Sequence, residues 1–582
     1  MLSPTDFPSA GHPSPLLIHR LLDRPKTWAP DQKIIYRDIR ELTYTEFFER
    51  VERLAQVLIR LGVRPGDRVG VVDWDSHRYL ECFFAVPMLG AVLHTVNVRL
   101  SPDQTLFTIQ HAGDRVLLIH PDFFPLMEGL LPQLPSVQAC IALPDHGNVP
   151  ASTIPFAGDY ESLLTEVASS FQFPEFSEDT PATLFYTTGT TGIPKGVFFS
   201  HRQLVLHTLG AGLSLTAFHD PVSLRADDVY MPLTPMFHVH AWGVPYLATL
   251  LGMRQIYPGR YEPQMLLNLI RQHRVSFSHC VPTILQMLLH HPASASLDGS
   301  QLKIIIGGSA LPQGLAKQAM DRGIRVMGGY GMSETCPIIA LSHIKPDDLH
   351  AAPERRLDLL TRTGFPIPLV QAIAVSPDEQ PLAPGPQNTG ELVLRAPWLT
   401  RGYYRDNERS RELWRTKWLH TGDLALLDNE GYIRITDRLK DVIKIGGEWI
   451  SSLELENALS QHPAVKEVAV IGVADAKWEE RPHAEVILRD DFHGQLTARD
   501  LLHFLHDFID RGVIHKRAVL TEIRFVHSIP KTSVGKINKR ELRAQLESAR
   551  HPNSEKVLSL PGGPAPHPES HPESPRRDAQ LA

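Results

Sequence analysis

Tyr186-Thr187-Thr188-Gly189-Thr190-Thr191-Gly192-Ile193-Pro194-Lys195-Gly196 is the stretch on which the reading of this chain turns. It follows an apolar, strand-like run from Ala182 to Tyr186. Glycine tolerates tight backbone turns, so successive N–H groups can converge on one anion. The threonine hydroxyls add donors, and Lys195 adds a compact charge on a flexible stem. The composition therefore predicts a strand running into a cradle for a polyphosphate. A Walker A loop is excluded, because there Gly-Lys-Ser/Thr follows four free positions, whereas here Pro194 precedes Lys195 and Gly196 follows it. The competing reading is a Gly/Thr-rich surface turn.

Outward from this loop, helical and strand periodicities alternate. Phe47, Val51, Leu54, Leu58 and Leu61 recur at three- and four-residue spacing between Thr43 and Leu61, and Gly62 follows as a stop. Asp67 to Val72 reads as a buried strand after the Pro65-Gly66 turn. Residues 80–92 read as a helix, with strands expected at Val116–Ile119 and at Lys303–Ile306, the latter ending in Gly307-Gly308. Such alternation predicts an α/β fold with largely parallel sheets. Beyond about residue 365 the texture changes to a smaller β-rich, barrel-like section, with alternating runs at Gly390–Arg395 and Gly431–Ile435. A smaller α+β unit is expected from Asp437, with helices near 453–460 and 498–510 and strands at 467–472 and 522–526. The division expected is 1–436, 437–550, and a tail of 551–582. That tail holds seven prolines and a tandem His-Pro-Glu-Ser at 567–574, a composition expected to be disordered rather than metal-binding.

Composition narrows the function classes. The chain has 582 residues, enough for two or more domains. Its 58 Lys and Arg against 65 Asp and Glu offer no basic excess for a nucleic-acid duplex. Cys82, Cys140, Cys280 and Cys336 form no metal spacing and no CxxC pair, which fits a reducing, cytoplasmic compartment. The first thirty residues lack a signal-peptide pattern. The apolar run from Phe83 to Leu93 is too short for a bilayer and is broken by Pro87 and Gly90, so a buried helix leading into a core strand is expected.

Five further motifs follow in order: Tyr330-Gly331-Met332-Ser333-Glu334-Thr335, His420-Thr421-Gly422-Asp423, Asp437-Arg438-Leu439-Lys440-Asp441, Lys444-Ile445-Gly446-Gly447-Glu448-Trp449-Ile450 and Pro530-Lys531-Thr532-Ser533-Val534-Gly535-Lys536. With the phosphate-type loop they resemble the adenylate-forming superfamily of acyl-CoA synthetases, peptide-synthetase adenylation domains and firefly-type luciferases. The resemblance spans roughly residues 15–545 and departs at Ser333, where Thr is commoner. It implies ATP, Mg²⁺ and coenzyme A as reactants or cofactor.

The physical chemistry of each station agrees with the resemblance. Joining a carboxylate to ATP brings anions together, so cations must offset the repulsion. The resemblance gives that role to Lys536, delivered by closure of the small domain about Lys440. Glu334 offers a hard oxygen for Mg²⁺, with Thr187 as a second contact. Thr187, Thr188, Gly189, Thr190, Thr191, Gly192 and Lys195 would hold phosphates. Asp423 suits ribose hydroxyls, assisted by Arg438. Gly308, Gly328, Gly329, Tyr330, Gly331 and Ser333 would border the nucleotide. Lys444, Gly446, Gly447 and Trp449 belong to the loop that would turn towards a CoA channel.

On the acyl side, Pro235-Met236-Phe237-His238-Val239-His240-Ala241-Trp242-Gly243 places His238 at a family position beside the acyl carbonyl. Trp242 resembles a gate of the fatty-acid branch, and Gly307 and Gly308 would border the same group. This segment, and the stretch from Asp437 to Asn457, resemble medium- and long-chain fatty acyl-CoA synthetases. No charged residue suited to a substrate ammonium stands in Met231–Gly243 or at Gly307–Ala310. The expectation is thus a fatty acid-CoA ligase. Aryl- or short-chain ligases, a luciferase-like oxygenase and a non-catalytic homologue are the alternatives. No integral membrane segment is expected. Peripheral membrane contact through a lipid substrate is compatible with the reading, as is the homodimer common among related fatty-acid enzymes.

Overall fold

A computed structural model describes residues 14–550, apart from 188–192, 219, 220, 386, 387, 447, 493, 513, 515, 517, 519, 521 and 534. The tail 551–582 and the Thr188–Gly192 portion of the loop thus lie outside the described residues. Among the described residues the strands form sheets of nine, seven, four and five. The fold is α/β: a large N-terminal body of layered sheets with a small four-stranded section, then a smaller α+β C-terminal part.

The Phe83–Leu93 run explains the layering. Its first half belongs to the helix His77–Met88, every residue of which is buried, and its second half enters the strand Val92–Thr95. The helix thus ends four residues before the expected 92. It packs against Arg68–Val72, Val92–Thr95 and Pro181–Thr187 of the seven-stranded sheet and against Lys33–Tyr36 of the nine-stranded sheet. A helix apolar all round is one covered on all sides. Its one acidic residue, the fully buried Glu81, accepts from Arg50 Nε at 2.7 Å and from the Tyr160 hydroxyl at 2.5 Å. Arg50 lies on the expected amphipathic helix, observed as Tyr44–Arg60 and opened by a Thr43/Glu46 capping box. Burying one charge alone is costly, so the shared network fixes how these helices meet.

Strand ends converge on one region. Pro181–Thr187 of the seven-stranded sheet pairs antiparallel with Lys195–Ser200, with Thr187 opposite Lys195. In the nine-stranded sheet Phe277–Cys280, Lys303–Ile306 and Arg325–Gly331 run parallel, so their carboxyl ends lie together. That is the place where open α/β sheets leave a crevice. The four-stranded sheet contributes Leu419–Leu427 and Ile433–Arg438, and sets Asp423 opposite Arg438. The C-terminal part has its own core, around Leu455, Leu459, Val470, Val486, Leu501 and Leu505. Its helices Ser452–Ser460 and Ala498–Asp510 and strands Val465–Asp475 and Glu522–Phe525 fall where the periodicity places them.

The body and the four-stranded section are joined at Gly364, whose carbonyl accepts from Ile433 N at 2.8 Å. Its φ is +101°, and a Cβ there would lie 2.0 Å from the Leu341 carbonyl oxygen. Gly364→Ala is therefore expected to destabilise this junction by about 2–4 kcal/mol, read as an earlier first transition in urea unfolding. An unchanged transition would contradict the packing described.

Candidate functional site

The strand ends enclose a cleft of about 1040 Å³, walled by the large body on one side and the C-terminal part on the other. Thr187, Lys195, His238, Gly308, Gly328, Gly329, Tyr330, Gly331, Ser333, Glu334, Asp423, Arg438, Lys440 and Lys536 all line it. Residues scattered over 350 positions of sequence are thus brought to one surface.

Asp423 is organised from two sides. One carboxylate oxygen accepts from the Tyr330 hydroxyl at 2.7 Å, and the other lies 3.1 Å from Arg438 Nε. Burial, reinforced by Asp423, pushes the Tyr330 hydroxyl well above its usual range, so it stays a donor. Asp423, first of all, pushes the Arg438 guanidinium up. The turn before Asp423 is supported from beneath: Gly422 N donates to Glu391 at 3.1 Å, and His420 Nδ1 lies 2.9 Å from the same carboxylate.

The glycines around this wall are required by space. A Cβ at Gly331 would lie 1.9 Å from the Pro337 carbonyl oxygen, and one at Gly328 would lie 2.5 Å from that of Arg362. A Cβ at Gly308, where φ is +79°, would lie 3.1 Å from Lys536 Cε. Lys536 therefore passes directly over a residue that has no side chain to obstruct it.

Lys536 reaches this position because its loop docks on the large body. Thr283 Oγ1 donates to the Gly535 carbonyl at 3.0 Å, Asn97 Nδ2 donates to Ser533 Oγ at 3.2 Å, and Arg99 donates to the Ser533 carbonyl at 3.4 Å. Burial, then the nearby Arg438, lowers the Lys536 ammonium to about 8, and burial, then Arg438, likewise lowers Lys440 to about 8. Burial, then Lys536, brings His238 down to about 3, so its imidazole is neutral at physiological pH.

Across the cleft, Glu334 stands in a short 3₁₀ turn, Ser333–Thr335, and is buried. One of its oxygens accepts from the Tyr403 hydroxyl at 2.6 Å, and that hydroxyl accepts from Lys195 Nζ at 3.0 Å. With Thr187 on the same cleft, Glu334 makes a donor set of one carboxylate and one hydroxyl. That suits Mg²⁺, which keeps several waters and takes few protein ligands. No cluster of three or more His, Cys, Asp and Glu suited to a metal occurs among the described residues.

Some expected residues lie elsewhere. Trp242 and Gly307 meet each other, with a Gly307 Cβ position 3.0 Å from the indole, but neither lines the cleft. Lys444, Gly446 and Trp449 form a hairpin away from the cleft: Lys444 N donates to Glu480 at 2.8 Å, and Trp449 is 46% exposed. Gly447 and the loop residues Thr188, Gly189, Thr190, Thr191 and Gly192 lie outside the described residues. Conversely, Tyr403, Glu391 and the docking residues Asn97, Arg99 and Thr283 emerge from the structure alone. None belongs to a motif whose spacing announces it.

Convergent strand ends, a Gly/Thr loop and a cleft of placed cations define an enzyme that handles an adenine nucleotide. The chain belongs to the AMP-binding enzymes: that family's model matches residues 23–404, and the AMP-binding enzyme C-terminal domain matches residues 454–536. It is 38% identical over 552 residues to a long-chain-fatty-acid–CoA ligase of Thermus thermophilus, covering 93% of this chain and 98% of that one. It is 35% identical to a 3-methylmercaptopropionyl-CoA ligase of Ruegeria pomeroyi, with 91% and 97% covered. The fold is shared with a solved anthranilate CoA ligase in complex with anthranoyl-AMP, at a TM-score of 0.80 and 24% identity, over 94% of this chain and all of that one.

The two lowered lysines give the site a pH dependence. Their positive charge is present below pH of about 8 and lost above it. ATP binding, measured by calorimetry at constant ionic strength, is expected to weaken as the pH rises from 7 to 9. Lys536→Gln should flatten part of that slope.

Proposed function

We propose that this protein is an ATP-dependent, AMP-forming fatty acyl-CoA ligase. The observation that carries the reading is Lys536 lying over Gly308, between neutral His238 and the Asp423–Arg438 pair. In the first half-reaction a carboxylate oxygen attacks the α-phosphorus of ATP. The bond from that phosphorus to the bridging oxygen breaks, and pyrophosphate leaves. Lys536 offsets the charge gathered between the two anions, and its lowered value reflects a site poor in water, where such an offset is large. Neutral His238 adds no competing charge beside the acyl carbonyl. Asp423 accepts from the ribose hydroxyls, and Lys195 with the Gly/Thr loop holds the outer phosphates. Glu334 and Thr187 would hold Mg²⁺, which when bound neutralises phosphate charge.

In the second half-reaction the sulfur of CoA attacks the acyl carbon. The bond to AMP breaks, AMP leaves, and the thiol proton passes to solvent. The C-terminal part, residues 437–550, turns about Lys440 between the steps, withdrawing Lys536 and presenting the Lys444–Trp449 hairpin. The hairpin's place outside the cleft supports this division of labour. A fatty acid is the preferred substrate because of the fatty-acid ligase among the relatives and because Met231–Gly243 and Gly307–Ala310 contain no charged residue suited to a substrate ammonium. No helix among the described residues is long and apolar enough to cross a membrane.

Lys536→Ala is expected to slow acyl-adenylate formation by about 100- to 1,000-fold while leaving thioester formation from supplied acyl-adenylate within about threefold. Equal losses in both half-reactions would overturn the role given to Lys536. CoA-dependent AMP release should be greatest with medium- or long-chain acids when hexanoate, palmitate, benzoate, 3-methylmercaptopropionate and acetate are compared. A preference for 3-methylmercaptopropionate or benzoate would replace the fatty-acid reading with the short-acid or aryl one.

A further inference from the structure

Tyr403 belongs to none of the motifs, yet it sits between the two charged groups of the phosphate side. Its hydroxyl donates to Glu334 at 2.6 Å and accepts from Lys195 Nζ at 3.0 Å, and the same ammonium lies 4.3 Å from the centroid of its ring. The ring is buried, at 7% exposure. Its backbone is fixed as well. Tyr403 N donates to Ser410 Oγ at 2.8 Å, Tyr404 N to the Gly196 carbonyl at 2.8 Å, and Thr400 N to the Glu334 carbonyl at 2.9 Å. The segment 400–404 therefore ties the strand leaving the phosphate loop to the turn carrying Glu334, and leaves the tyrosine one orientation.

Resting on the ligase reading, we infer that Tyr403 is a positioning residue that keeps Lys195 and Glu334 apart and ready, the first for phosphate and the second for the metal. Opposite charges in a poorly hydrated cleft attract strongly. Without a group between them, an ammonium on a flexible stem closes onto the carboxylate, and Mg·ATP must then break that pair before either group can act. A phenol hydroxyl prevents this because it is donor and acceptor at once. It satisfies the carboxylate with its proton and the ammonium with its lone pair. The ring face holds the ammonium by a cation–π contact, without consuming its charge. An ordinary phenol ionises only near pH of about 10, so the spacer carries no charge across the working pH range. Preorganised charges of this kind need no rearrangement when the ligand arrives.

The test is calorimetry on the full-length protein with Tyr403→Phe, which keeps the ring and removes only the hydroxyl. Three titrations are compared: ATP with Mg²⁺, ATP with EDTA, and AMP. The expected result is Mg·ATP binding about tenfold weaker than wild type, AMP binding within twofold, and a higher Mg²⁺ concentration for half-maximal ATP binding. AMP has no outer phosphates to call on Lys195, so a general loss of packing would weaken both nucleotides alike, and that outcome would overturn the spacer role. Unchanged Mg·ATP binding in the variant, with normal Mg²⁺ dependence in wild type, would overturn it too while leaving the ligase reading intact. Wild-type binding of ATP that ignores Mg²⁺ would instead overturn the assignment of Glu334, and the spacer role with it.

Discussion

An ammonium ion taken out of water is the constraint on which this architecture depends. Lys536 is less stable as a cation in its cleft than in solvent, as its fall to about 8 records. Such a group persists only if binding anions repay the desolvation, or if the group can leave. The proposed ligase cycle uses both. The cleft facing Lys536 is built to receive anions, and Lys536 itself stands on the smaller C-terminal part, held by a few hydrogen bonds from Asn97, Arg99 and Thr283 rather than by a shared apolar core. Polar contacts at the rim of an interface are individually worth little, so this docking does little to offset that desolvation.

The same logic governs the fixed charges. Glu334 and Lys195 share the Tyr403 hydroxyl between them, and Asp423, paired with Arg438, also accepts from the Tyr330 hydroxyl. Tyr330 and Tyr403 are hydroxyls whose burial keeps them protonated, so they can brace a carboxylate without adding charge. Glu391 braces the Thr421–Asp423 turn from below, itself paired with His420 and Arg415. The net charge of −7 says nothing of this, because the site works by placement rather than by excess.

Legibility in the sequence follows from the range of the interactions. The helix Tyr44–Arg60 and the strands Arg68–Val72 and Lys303–Ile306 were readable because local periodicity and turn residues specify them. Cleft residues such as Tyr330, Glu334, Asp423, Arg438 and Lys536 were readable because each lies in a compact motif. Tyr403 was not, since its partners are 69 and 208 positions away and no local pattern distinguishes it from a core tyrosine. The end of the helix His77–Met88 was blurred for a different reason: a fully covered helix and the central strand after it are both apolar, and only their separation in space tells them apart.

The acyl side shows where such reading stops. Val239, His240, Ala241 and Trp242 all have φ between +47° and +60°, and Gly243 follows at +73°. A left-handed turn costs about 1–2 kcal/mol for each non-glycine residue, and Val is among the least tolerant. Nothing in Val-His-Ala-Trp announces it, because the composition fits an ordinary buried helix. The strain persists because both flanks are fixed: Met236 N donates to the buried Asp75 at 2.8 Å, and the Trp242 indole rests on Gly307, where only a hydrogen leaves room. His238, which precedes the turn in an extended conformation, lines the cleft, while His240 within the turn packs among Phe83, Phe185 and Tyr246. Neighbouring histidines two positions apart thereby face different environments, one in the cleft and one in the core. The left-handed turn between these two environments is a property that residue types along this segment do not encode.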